Sequence, residues 1–141
     1  MHWRFESRDA NGAYDVRNDL IAHLQARATD DSDLDAAALV FGELVGNVVR
    51  HAPGPISIAL EWHAGIAVLR VRDSGPGFDW RELGPPEPLA ESGRGLFIVR
   101  ALAQHLRVVR HDSGMEAVAW LPVHRRSLDS GRFAPDARDD T

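Results

Sequence analysis

Glu43 and Asn47 are the only polar side chains in the run from Ala36 to Val49. Set four residues apart, they share one face of a helix, one turn from each other, with Val40 and Leu44 beside them. Leu34, Ala37, Phe41, Val45 and Val48 make the opposite face. A helix that is apolar nearly all round is expected to be buried. An unpaired carboxylate there costs roughly several kcal/mol, so Glu43 is expected to have a partner. A polar pair bonded to a neighbouring loop would meet that need as well as a functional site does. Gly42 and Gly46 weigh toward a site. Each costs about 1 kcal/mol in a helix interior relative to alanine, which makes sense if something bulky packs closely.

Two further segments could hold a ligand. Ala67, Leu69 and Val71 share one face of a strand, and Asp73 continues their register into Asp73-Ser74-Gly75-Pro76-Gly77. With that face turned to the helices, the Asp73 carboxylate points between the layers at the strand's end. It can accept there from an exocyclic amine such as N6 of adenine, whereas guanine offers an oxygen at that place. Gly75 and Gly77 allow positive φ and close backbone approach. The same residues also suit an ordinary surface turn. Gly93-Arg94-Gly95-Leu96 opens a helix. Free N–H groups and the helix dipole make such a start an anion site, and Arg94 adds charge. A flexible hinge has the same composition.

The elements that must position these residues follow from periodicity. His2 to Glu6 alternates and reads as a short strand, with Trp3 and Phe5 on one face. Tyr14, Val16, Leu20, Ile21 and Leu24 predict a helix over residues 11–28. Ser32 and Asp35 resemble a capping box, so a second helix is expected from residue 33 to 50, ended by Pro53-Gly54-Pro55. Ile56 to Trp62 and Ile66 to Arg72 form a hairpin about His63-Ala64-Gly65. Residues 73–92 read as a long loop and residues 95–105 as a helix. Leu106 to His111 and Met115 to Leu121 form a closing hairpin. This order predicts an α+β two-layer sandwich, a mixed and mostly antiparallel sheet with helices on one face. Residues 1–123 form the domain, and residues 124–141 are expected to be a disordered polar tail.

Composition excludes several classes. The 141 residues carry a net charge of −5, which argues against nucleic acid as a partner. There is no cysteine, hence no disulfide framework and no thiolate metal site. Every basic residue is arginine, so lysine-dependent chemistry is excluded. The seven histidines lack the paired spacing of a zinc site. No apolar run is long enough to span a bilayer, and Met1-His2-Trp3-Arg4 does not begin a signal peptide. A cytoplasmic location with no membrane contact is the expectation.

Taken together, the three segments resemble the GHKL (Bergerat-fold) ATPase superfamily, in order and in spacing. Glu43 to Ala52 is similar to its N-box, Asp73 to Gly77 to its Asp-x-Gly-x-Gly box, and Gly93 to Leu96 to its Gly-x-Gly-Leu box. Glu43 to Ala52 and Gly93 to Ala103 further resemble the anti-sigma-factor serine/threonine kinase branch. The resemblance covers residues 2–122. It implies that Asn47 ligates Mg²⁺, that Glu43 is the general base for a Ser or Thr hydroxyl, and that Asp73 binds adenine. It implies that Arg50, His51, Gly75, Gly77, Phe78, Gly93, Arg94, Gly95 and Leu96 line the ATP site, and that residues 78–92 are its lid. Such roles suit phosphoryl transfer, where positioning and charge neutralisation dominate.

The implied partners are an anti-sigma antagonist protein, as phosphorylation substrate, and an RNA polymerase sigma factor. A homodimer is also implied, to which Trp3 and Phe5 could contribute. The family often has Thr or Ser at Gly46, and Gly-Thr or Lys-Thr where this chain has Gly114-Met115-Glu116-Ala117. That departure motivates a second reading, an ATP-loaded regulator that sequesters a protein without chemistry. A third is the catalytic half of a two-component histidine kinase. It is ranked last because about forty residues before the N-box leave no room for a helical dimerisation hairpin.

Overall fold

In the computed structural model, residues 1–51, 54–73, 99–111 and 114–127 are described. The elements run β1 (His2–Glu6), α1 (Ala10–Arg27), α2 (Leu34–His51), β2 (Pro55–His63), β3 (Ile66–Asp73), β4 (His105–His111) and β5 (Gly114–His124). Residues 99–102 are helical, and Ala103 N donates to Val99 O at 2.8 Å. The earlier part of that expected helix, the long loop and the tail after Ser127 lie outside the described residues.

The strands form one sheet in the order β1-β2-β3-β5-β4, antiparallel at every pairing. Alternation then sorts the side chains. Ile56, Ile58, Leu60, Leu69, Val71, Ala117, Ala119 and Leu121 face the helices and are buried in one core with Leu20, Leu24, Val40, Leu44 and Val48. The β2–β3 turn is Ala64-Gly65, with φ of 52° and 81°. Two positive φ values match the right-handed twist of the strands it joins.

The helices start where side-chain acceptors end the strand-like chain. Asp9 caps α1, with Gly12 N donating to its Oδ1 at 2.9 Å. Asp33 caps α2, with Ala36 N donating to its Oδ1 at 2.9 Å. Ser32, expected as that cap, instead receives His124 N on its Oγ at 2.9 Å. Tyr14 is exposed, so the core stripe of α1 is Val16, Leu20 and Leu24.

α2 is not enclosed all round, as the sequence had suggested. Ala37, Val40, Phe41, Leu44, Val45 and Val48 are buried, but Leu39 is 46% and Val49 40% exposed. Gly42 lies on this open side, and a Cβ built there meets nothing within 4 Å. Among the described residues no bulky neighbour explains it.

The chain also stays ordered past residue 123, where a tail was expected to begin. Arg125 N donates to Gly65 O at 2.7 Å and Arg126 N to Arg27 O at 2.8 Å.

Candidate functional site

Two polar or charged side chains are buried among the described residues, Asn47 and Asp73. Both were singled out by the sequence. Asn47 is 0% exposed and lies in the C-terminal half of α2. Asp73 is 1% exposed and is the last residue of β3. It pairs with Ile56 on one side and Met115 on the other, so its side chain is on the helix face, as its register predicted.

The Asn47 amide is served on one side only. Arg50 Nη2 donates to its Oδ1 at 2.6 Å, a bond that the i, i+3 spacing on a helix makes available. Its Nδ2 is buried with no hydrogen-bond partner among the described residues. Leaving a buried N–H unsatisfied costs about 1–3 kcal/mol, which a purely structural residue would not retain. A Cβ at Gly46 would stand 3.4 Å from Arg50 Nη1, an ordinary contact, so this bond does not require a glycine there.

Glu43 departs from expectation. It is half-exposed, and among the described residues it has no hydrogen bond or ion pair. Because the open side of α2 reaches it, water can solvate the carboxylate and no buried partner is needed. It stands one turn before Asn47 on α2. His51 is the last residue of α2. Gly75, Gly77, Phe78, Gly93, Arg94, Gly95 and Leu96 lie outside the described residues, as does the expected lid.

The donor set decides what cation could be held. Among the described residues no three His, Asp or Glu side chains gather as a metal cage. Asn47 Oδ1 is a hard oxygen that already faces a cation, the Arg50 guanidinium. A carbonyl oxygen has two lone pairs, so it can also take Mg²⁺. Mg²⁺ keeps several waters and is commonly held by one protein oxygen or two together with phosphates. The residues present therefore fit a magnesium that arrives with a polyphosphate, not a standing metal site.

Sheet and helices form an α+β domain in which Asn47 and Asp73 are the buried polar side chains among the described residues. The chain belongs to the histidine kinase-like ATPase domain family, which it matches over residues 5–120. It is 35% identical over 144 residues to the sensor protein kinase PmrB of Pseudomonas aeruginosa. That match takes in 93% of this chain, which spans 28% of the length of PmrB. It is also similar to the histidine kinase domain of the Escherichia coli osmosensor EnvZ, solved by NMR, at a TM-score of 0.49 and 17% identity. That alignment covers 98% of this chain and 96% of the EnvZ chain. Among the described residues no helix is long and apolar enough to cross a membrane.

Proposed function

We propose that this domain binds ATP with Mg²⁺ and transfers the γ-phosphate to a Ser or Thr hydroxyl of an antagonist protein, while it sequesters an RNA polymerase sigma factor. The observation that carries the nucleotide part is Asn47, buried with an unpaired Nδ2 and an oxygen turned to a cation. Membership of an ATPase domain family supports it. Asp73 receives the adenine amine, Arg50 swings to the phosphates, and Gly75, Gly77, Gly93, Arg94 and Gly95 line them. Mg²⁺, when bound at Asn47, neutralises phosphate charge.

Glu43 carries the transfer step. The substrate hydroxyl oxygen attacks the γ-phosphorus as its proton passes to the Glu43 carboxylate. The bond from that phosphorus to the bridging oxygen breaks, and ADP leaves with the electron pair. The half-exposed, partnerless position of Glu43 suits a base that must meet a protein substrate from outside. Homodimerisation belongs to the same reading. Phe5 does not supply its contact, because it is 8% exposed and part of the core.

The likeness to PmrB favours a second reading, the ATP-binding half of a histidine kinase. The experiment is mass-detected phosphate transfer from ATP to candidate antagonists, with wild type and Glu43→Ala. Acid-stable phosphate on a Ser or Thr, reduced at least a hundredfold in Glu43→Ala, is expected. Undiminished transfer removes Glu43 from its role, and acid-labile phosphate on histidine selects the second reading.

A further inference from the structure

Among the described residues the sheet ends on one side at β1, where half of the backbone has no partner strand. Met1 and Leu60 exchange both N–H···O bonds, at 3.1 and 2.9 Å, and Ser7 N donates to Gly54 O at 2.9 Å. Antiparallel ladders alternate, so Trp3 and Phe5 bond to β2 while His2, Arg4 and Glu6 turn their N–H and C=O groups outward. Glu6 O accepts from Asp9 N at 2.8 Å. The other outward groups form no hydrogen bond among the described residues.

A groove of about 540 Å³ runs along this edge, between β1 and α1. Trp3, Phe5 and Val16 give it an apolar floor, Glu6, Asp9, Asp15 and Asp19 line it with carboxylates, and Arg4 with one guanidinium. All four carboxylates are exposed, and none is ion-paired among the described residues. Asp15 and Asp19 stand one turn apart on α1, beside the open edge.

We propose that this edge receives an extended basic segment of a partner protein, added to β1 as a further strand. Backbone pairing to His2, Arg4 and Glu6 holds the segment, and alternate side chains then point to the α1 side. Arg or Lys at those positions meets Asp15 and Asp19, and its methylene stem covers Val16 and Trp3. A second copy of this chain is a poor occupant, because two β1 edges in contact bring two acidic rims together. The charge that repels a like edge is the charge that selects a basic one. The inference does not depend on nucleotide chemistry.

The test uses the full chain, labelled with ¹⁵N, and a capped synthetic pentapeptide that alternates valine and arginine. A valine–glutamate peptide is the control. The basic peptide is expected to slow hydrogen exchange at the Arg4 and Glu6 amides at least fivefold, and the acidic one to leave them unchanged. Asp15→Asn with Asp19→Asn should weaken binding by about three- to tenfold, as exposed ion pairs allow. Arg4→Pro removes an outward N–H that β2 does not use, so the strand tolerates it, yet added-strand pairing is lost. Thermal unfolding within a few degrees of wild type establishes that each variant folds; were Arg4→Pro to unfold, the double variant and the amide map decide. No protection at Arg4 and Glu6 with millimolar basic peptide overturns the proposal. So does equal binding of the acidic peptide, or unchanged binding to the double variant. A dimer that Arg4→Pro dissociates overturns it in favour of self-pairing.

Discussion

Replacing Asn47 with leucine separates a binding amide from a structural one. Leucine keeps the branching of asparagine and removes both polar atoms. The variant loses the bond from Arg50 Nη2 to Oδ1, worth about 1 kcal/mol because the guanidinium is solvent-accessible. It is relieved of the unpaired, buried Nδ2, which recovers about 1–3 kcal/mol. Two methyl groups fill the space of an oxygen and an NH₂, at about 1 kcal/mol of crowding. The sum lies within about 1 kcal/mol of zero, although a fully enclosed residue is being changed. Urea unfolding without ligand should thus give nearly the wild-type midpoint. At ATP·Mg²⁺ a hundredfold above Kd, wild type should gain about 2.7 kcal/mol and the variant nothing. Destabilisation beyond about 2 kcal/mol without ligand would refute the reasoning, since the amide would then hold the core together. Undiminished ATP stabilisation of the variant would refute Asn47 as a ligand.

Gly42→Ala should raise stability by about 1 kcal/mol, because the helix gains propensity and the new Cβ meets nothing within 4 Å. Thermal unfolding measures this, and a lower midpoint means that something does pack against that side. Acid should weaken the fold through His23, which accepts Trp62 Nε1 on its Nε2 at 3.2 Å. Burial chiefly, then Arg27, holds its pKa below the ordinary histidine value. The unfolded chain therefore binds the proton more readily, and the stability that His23 contributes is present above pH about 6.5 and lost below it. Urea midpoints at pH 7.5 and 5.5 should diverge less in His23→Gln than in wild type, and equal divergence rules His23 out as the source.

Two residues of the candidate site stood out in the sequence because they break a pattern. Asn47 interrupts an apolar helix and Asp73 extends an apolar strand face, and these are the side chains found buried. Glu43 broke the same pattern, yet it is half-exposed. Pattern alone could not tell, because the open side of α2 is itself apolar at Leu39 and Val49. Local strand signals also stopped short at Pro122. There β5 has run past the end of β4, and Pro122 O accepts from Asp33 N at 2.9 Å, so the missing N–H is not needed for the sheet. The choice of Asp33 over Ser32 as helix cap depended on contacts 92 residues away, where Ser32 meets the His124 backbone. No window of neighbouring residues contains that information.

The β2–β3 turn, the end of α1 and residues 125–126 form a corner tied by main-chain bonds from Arg125 to Gly65 and from Arg126 to Arg27. Arg125 lies over the Trp62 ring, whose Nε1 reaches His23. Asp73 is at the other end of β3, roughly 23 Å away at about 3.3 Å per residue. β3 thus has one end tied by main-chain bonds to other segments and a buried carboxylate at the other. Local opening follows such differences, since it costs most where several segments must part together. Amide exchange should be slowest at Leu60, Leu69 and Ala119 and quicken toward Ile56, Asp73 and Met115. The domain is bound along the edge where Arg125 and Arg126 tie the β2–β3 turn and the end of α1 together.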